Sequence, residues 1–95
     1  MKVEWSPLAL ADREAIFDFS ETRSPRVAIV RDEYISATVR RLRLFPEIGR
    51  HGRVAGTREL VVRGAPFIVA YRLEDQTITV LRVLHCSRRW PGAID

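Results

Sequence analysis

The residues best suited to chemistry lie between Thr57 and Trp90, where Arg58, Glu59, Arg72, Arg82, His85, Arg88, Arg89 and Trp90 are threaded through three strand-like runs. Metal-free RNA cleavage needs a base near the 2′-hydroxyl, a positive group at the pentacoordinate phosphate and an acid at the leaving oxygen. His85 suits the acid or base role, because an unperturbed imidazole titrates near about 6.5. Arg58, Arg72 and Arg82 supply candidate positive charge, and Glu59 a candidate general base. Arg88-Arg89-Trp90 can stack on a base while gripping phosphate. Arg50 and Arg53, in a glycine-rich stretch upstream, extend this basic, target-binding set.

Each of these residues also has a plainer reading. Arg82 alternates with Ile78, Val80 and Leu84, so it either pairs with a buried carboxylate or snorkels to an edge. His85 shares its expected strand face with Thr79, Leu81 and Val83, a setting that suits a hydrogen-bonded structural histidine. His51, between Arg50 and Gly52, reads as solvated, and the Arg88–Trp90 end as an unstructured basic tail. No cluster has metal-ligand spacing and no glycine-rich phosphate loop is visible, so no metal or cofactor is expected. Cys86 directly follows His85, but neighbouring strand residues point to opposite faces, which disfavours a thiolate–imidazole pair.

The elements that must position these residues belong to one domain, since 95 residues leave no room for a second core. At this size folding hides only around 60–65% of the chain's surface, so a bound partner would add much of the stability. Net charge is +4, from sixteen basic residues against twelve acidic ones; Lys2 is the only lysine and the other fifteen are arginine. Guanidinium forks onto phosphate or carboxylate better than ammonium does. A GC-rich genome that favours arginine codons explains the same surplus without function. Cys86 is the only cysteine, which excludes an intramolecular disulfide and fits a reducing compartment. No apolar run approaches the ~20 residues of a membrane span, and M-K-V-E-W-S-P lacks a signal-peptide core. A cytoplasmic protein without membrane contact is expected.

Val3-Glu4-Trp5 reads as a short strand. Ser6-Pro7 and Ser24-Pro25 are two helix starts, serine capping the free amides and proline losing nothing at the first helical position. Leu8, Ala11, Ala15 and Phe19, with Ile16 beside them, predict the buried face of the first helix, leaving Asp12, Arg13, Glu14 and Asp18 elsewhere. Ala28, Arg31, Ile35, Val39 and Leu42 predict that of the second, which runs to about Leu44. Glu47–Gly56, with three glycines, is the most loop-like stretch and has weak strand character. Three strands follow, around Leu60, from Phe67 to Leu73 and from Ile78 to His85, joined by turns short enough for hairpins.

The expected fold is therefore α+β, in the order β-α-α-β-β-β. A helical hairpin covers one face of a three-stranded antiparallel meander, and the N-terminal strand lies beside the third strand, which is apolar on both sides. The second sheet face is left partly open for a partner, unless the tail from Arg88 to Asp95 folds back over it.

This order of elements resembles the RelE/ParE superfamily of toxins from bacterial type II toxin–antitoxin modules. The likeness rests on V-E-W-S-P-L-A-L-A-D at the N-terminus, F-P-E-I-G-R-H-G-R from Phe45, and R-E-L-V-V, F-I-V-A-Y-R-L and V-L-R-V-L-H in the strands. It spans nearly the whole chain. Membership implies a growth-arresting toxin held inactive by a cognate antitoxin, often as two toxins with two antitoxins. The implied target is either DNA gyrase, as for ParE-like members, or ribosome-bound messenger RNA, as for RelE-like ones. In RNA-cleaving relatives the middle strand carries an arginine where Ile68 stands here. The lysines of RelE's preceding strand are missing, with Glu59 and Val61 near those places, while R-V-L-H at Arg82–His85 is like ParE-like endings. These departures tilt the expectation toward gyrase. A non-catalytic nucleic-acid-binding module, or a toxin relative that has lost activity, are the other readings.

Overall fold

In the computed structural model, residues 1–90 are described. The elements are β1 (Lys2–Trp5), α1 (Pro7–Glu21), α2 (Pro25–Leu44), β2 (Arg50–His51), β3 (Arg58–Val61), β4 (Phe67–Glu74) and β5 (Thr77–His85). Both serine-proline pairs work as expected: Ser6 Oγ accepts from the Ala9 amide at 3.1 Å, and Ser24 Oγ from the Val27 amide at 3.0 Å. Each serine removes one of the orphan donors that every helix start leaves.

The sheet runs β1-β5-β4-β3-β2, with β1 parallel to β5 and the other pairs antiparallel. It is thus a five-stranded mixed sheet: the meander is longer by β2, formed where only weak strand character was expected. The β4–β5 hairpin closes through Asp75 and Gln76, both at positive φ, which matches the right-handed twist of the strands. The core lies between the helices and one sheet face. Ile35, Val39 and Leu42 of α2 meet Val62, Val69, Tyr71, Ile78, Val80 and Val83 there.

Three expectations are corrected. The first concerns β5, whose register against β4 jumps between Ala70 and Tyr71, so that Ala70 faces Arg82 and Tyr71 faces Val80. Leu81 is the extra residue of a β-bulge, and a bulge resets which side chains face which layer. Arg82 and Leu84 therefore do not continue the Ile78–Val80 face; Val83 joins that core, and Leu81 packs on the opposite side with Ala70 and Trp90.

The second concerns α1. Ala11, Ala15 and Phe19 are exposed, Phe19 at 69%, whereas Ala9 and Ser20 are fully buried and Asp12, Arg13 and Ile16 are half-buried. The inward face is set by polar ties rather than by apolar spacing. Arg13 donates to both carboxylate oxygens of Asp32 on α2 (2.6 and 2.9 Å) and lies over the Trp5 ring at 5.0 Å. Asp12 binds β5.

The third concerns the second sheet face, expected to be partly open, which is closed over its centre. Ile68, Ala70, Leu81 and Leu84 are at most 4% exposed. Trp90 packs against Ala70 and Leu81, with the Arg53 guanidinium 4.1 Å from its ring centre. The tail reading thus holds as far as Trp90; Pro91–Asp95 lies outside the described residues. Val61 of β3, opposite Ile68, stays 48% exposed at the margin of this face, and other exposed large apolar side chains sit on and after the helices, among them Leu10, Phe19, Ile29, Leu44 and Phe45. No helix among the described residues is long and apolar enough to cross a membrane.

Candidate functional site: anchored arginines and a basic groove

Glu59 is 2% exposed on β3 and serves as a hub. Its carboxylate accepts from the Arg53 backbone amide (2.8 Å), from Arg53 Nε and Nη2 (3.2 and 3.3 Å) and from Arg50 Nη2 (3.1 Å). Burial pushes its pKa up, but the Arg53 amide and the two guanidiniums outweigh burial and hold it below the usual carboxylate value. A carboxylate so tied is a poor proton acceptor. Its two neighbours on the fold act in the same sense. Arg58 donates to the carbonyls of Glu47 (3.1 Å) and Gly49 (2.9 Å), and the buried Tyr71 hydroxyl donates to Pro46 O (2.8 Å) while accepting from the Gly49 amide (3.0 Å). Segment 46–53, which takes in most of the Glu47–Gly56 stretch expected to be loop-like, is fastened by three side chains of β3 and β4.

This fastening depends on pH with a definite sign. Because the folded-state pKa of Glu59 lies below its unfolded value of about 4.3, its contribution is fully present above that value. It is lost as pH falls through the folded pKa. Acid titration of the wild type should therefore loosen the 46–53 segment below pH of about 4.3, and Glu59→Gln should flatten that part of the stability–pH curve. Amide exchange at Arg53 measured from neutral pH to pH 3 reads both.

Arg82 is equally committed. Its Nε and Nη2 meet the Asp12 carboxylate at 2.7 and 2.9 Å, and Asp12 Oδ2 also accepts from the Val83 amide at 3.0 Å. The reason is topological. β1 stops at Trp5, paired with Val80, so the edge of β5 beyond the bulge has no strand beside it. Helix α1 takes over those backbone groups: Ser6 N donates to Val80 O (2.9 Å), Ser6 Oγ to Leu81 O (2.9 Å), and Asp12 accepts from Val83.

The remaining candidates are scattered. Arg72 lies 3.6 Å from Glu74, with other interactions besides. His85 is exposed, its Nδ1 beside the Ser87 amide and hydroxyl (3.1 and 2.8 Å) and its ring edge-on to Phe67. His85 pairs with Phe67 and Arg72 with Thr79, so these two side chains are separated by five residues of β4, roughly 17 Å. Glu59 and Arg82 flank Ala70 from either side, two strand spacings or roughly 10 Å apart, each in its own ion pair. No single phosphate can be reached by all of them. Among the described residues, no group of three His, Cys, Asp or Glu side chains could hold a metal ion.

What residue-by-residue reading missed is a groove of about 460 Å³ between α1, the start of α2 and the end of β5. Ile16, Phe19, Phe67 and Val83 form its apolar lining, and Arg23, Arg31, His85 and Arg88 its basic border. Arg31 donates to Ser20 Oγ (3.2 Å) and lies over the Phe67 ring at 5.8 Å; the guanidiniums of Arg23 and Arg88 have no ion pair or hydrogen bond among the described residues. Asp12, the one acid of the lining among the described residues, is already neutralised by Arg82. The available signal was the exposed apolar Phe19 beside Arg23, hidden by assigning Phe19 to the core.

Comparison with known proteins places these features in a family. The sequence profile of the ParE toxin of type II toxin–antitoxin systems, parDE, matches residues 3–90. The toxin candidate Y4kP of Sinorhizobium fredii is 32% identical over 93 residues, covering 98% of this chain and 96% of that one. Toxin RelE2 of Caulobacter vibrioides is 33% identical over 87 residues, covering 92% and 97%. A solved structure of the chromosomal ParDE toxin–antitoxin system of P. aeruginosa superposes with a TM-score of 0.82 at 28% identity, over 90% of this chain and 95% of that one. With the profile running through both helices and every strand, the chain belongs to the ParE toxin family of type II toxin–antitoxin systems.

Proposed function

We propose that this toxin arrests growth by binding DNA gyrase rather than by cutting RNA. The observation that supports this most is the state of its would-be catalytic residues: Glu59 and Arg82 are buried in ion pairs, and His85 and Arg72 stand far apart on the sheet. A ribonuclease needs its acid, base and phosphate-binding cation convergent on one phosphate, with the acid and base free to move a proton; a protein that acts by docking does not.

The same proposal assigns the groove beside Phe19 to the cognate antitoxin, within a complex of two toxins and two antitoxins. An acidic tail that buries an apolar side chain on Ile16, Phe19 and Phe67 would set its carboxylates against Arg23 and Arg88, which lack partners of their own among the described residues. Purified toxin tested in two assays decides the target. Supercoiling by gyrase should be blocked, or cleaved DNA trapped, while messenger RNA on translating ribosomes stays intact. Cleaved messenger RNA with unaffected gyrase overturns the reading. In binding measurements Phe19→Glu should weaken the antitoxin by more than about tenfold, as expected when a charge replaces an apolar anchor; unchanged affinity removes the groove from the interface.

A further inference from the structure

A second surface, on α2, is built for a partner and is not absorbed by the groove. Two clefts of about 340 and 250 Å³ adjoin there and share Tyr34 and Gly64. The Tyr34 ring is seated by that glycine: a Cβ on Gly64 would fall 2.9 Å from Tyr34 Cε2, and the Gly64 φ of +85° excludes most other residues in any case. Val27 and Val30 line the first cleft, with Arg26 at its end; Ala37 and Thr38 line the second, with Arg41 and Arg63 at its rim. The guanidiniums of Arg26, Arg41 and Arg63 have no ion pair or hydrogen bond among the described residues, unlike those of Arg13, Arg50, Arg53 and Arg82. Among the described residues no carboxylate lines either cleft. Of the two acids on α2, Asp32 is taken by Arg13 and Glu33 stands outside both linings.

We propose that this face of α2 is the surface with which the toxin docks its target, and that the occupant is an acidic protein segment presenting an aromatic or branched aliphatic side chain. The assignment rests on the reading that the target is a protein. Apolar content separates protein from nucleic acid here: Val30 and Tyr34, 37% and 40% exposed and about one helical turn apart, join Val27 in a patch that excludes water best against other apolar groups. The cations without a partner among the described residues stand toward the ends, since Arg31 between them is bonded to Ser20 and lies over Phe67. Arg26 and Arg41 are fifteen residues apart, about 22 Å along the helix, with apolar positions between them. A segment with acids at both ends and an apolar centre matches that spacing; a phosphate backbone, charged at every step, does not.

Position also accounts for neutralisation. Arg31 borders both the antitoxin groove and the first α2 cleft, so a chain seated in the groove stands against the docking face without using its key residues. Target and antitoxin surfaces are then adjacent and separable by mutation.

The test uses purified full-length toxin, purified gyrase and the cognate antitoxin. Arg41→Glu/Arg63→Glu should require at least about tenfold more toxin to inhibit supercoiling, as reversal of two rim charges opposite an acidic segment demands. Antitoxin affinity and thermal midpoint should stay at wild-type values. If the charge reversal disturbs folding, Tyr34→Ala and Arg41→Ala/Arg63→Ala carry the same expectation with less perturbation. A folded double variant as potent as wild type removes the α2 face from target binding and leaves the gyrase reading intact. Binding of a DNA or RNA oligonucleotide that depends on Arg41 and Arg63, with gyrase inhibition independent of them, overturns the assignment in favour of nucleic acid. Wild-type toxin that neither binds nor inhibits gyrase overturns the gyrase reading and this assignment together.

Discussion

Arg82→Ala lowers the stability of the toxin by about 3–5 kcal/mol, the cost of leaving one member of a buried ion pair unpartnered. The Arg82 and Asp12 side chains are 8% and 11% exposed, so neither charge can turn to water when the other is removed. The hydrogen bond to Asp12 raises the Arg82 pKa against the opposing effect of burial, so the guanidinium stays charged. Asp12→Ala has a comparable effect by a second route, since it also orphans the Val83 amide at the bulge. Asp12→Asn keeps an acceptor for that amide but leaves the Arg82 charge uncompensated, so it should recover only the part of the loss that belongs to Val83. A domain of 95 residues has only about 5–14 kcal/mol to lose. Arg82→Ala should therefore be largely unfolded in mild urea, and α1 should detach first, because Asp12 and Ser6 are what hold it to the β5 edge. Urea unfolding of the two single variants and the double variant gives the coupling directly. Wild-type stability in Arg82→Ala, with toxicity lost, would return Arg82 to a functional site and refute the structural role.

The order of elements was legible because local signals agreed with it: the serine-proline starts, the period of α2 and the alternation of β4 all reappear in the structure. The interior position of β5 followed from its apolar faces on both sides. What failed has one physical source. A β-bulge has no signature in a run such as I-T-V-L-R-V-L-H, since every residue in it suits a strand. Yet one extra residue at Leu81 turned Val83 into the core and set Arg82 beside Asp12. The error on α1 follows from the same place. Apolar spacing predicted Phe19 inward, but the helix is oriented by Asp12 on β5 and Arg13 on Asp32, pairs that join residues 70 and 19 positions apart. Candidate catalytic residues were picked by type, and type does not say whether a charge is free. Glu59 looked like a base and is a clamp, because its partners Arg50 and Arg53 return to it only through the β2–β3 pairing.

Gly49→Ala destabilises by about 2–4 kcal/mol, combining overpacking with the loss of a buried hydrogen-bond bridge. An added Cβ would sit 2.5 Å from the Tyr71 hydroxyl oxygen, 2.7 Å from Tyr71 Cε1 and 3.0 Å from the Glu59 carbonyl oxygen. None of these can yield easily. Tyr71 is 0% exposed in the middle of β4, and the Glu59 carbonyl belongs to β3, so relief requires moving the ring or the 46–53 segment. Moving the ring breaks the bonds from Gly49 N and to Pro46 O together; burial already holds this phenol's pKa above its ordinary value, so the hydroxyl stays protonated. Moving the segment pulls Arg50 and Arg53 from Glu59 and leaves a buried carboxylate short of donors. Tyr71→Phe isolates the first of these effects: it frees the space while orphaning the Gly49 amide, and should cost about 1–3 kcal/mol. In Gly49→Ala/Tyr71→Phe the clash with the hydroxyl is gone, so the double variant should be more stable than the sum of the two losses implies. Strict additivity in thermal or urea unfolding would show that Gly49 is small for some reason other than Tyr71.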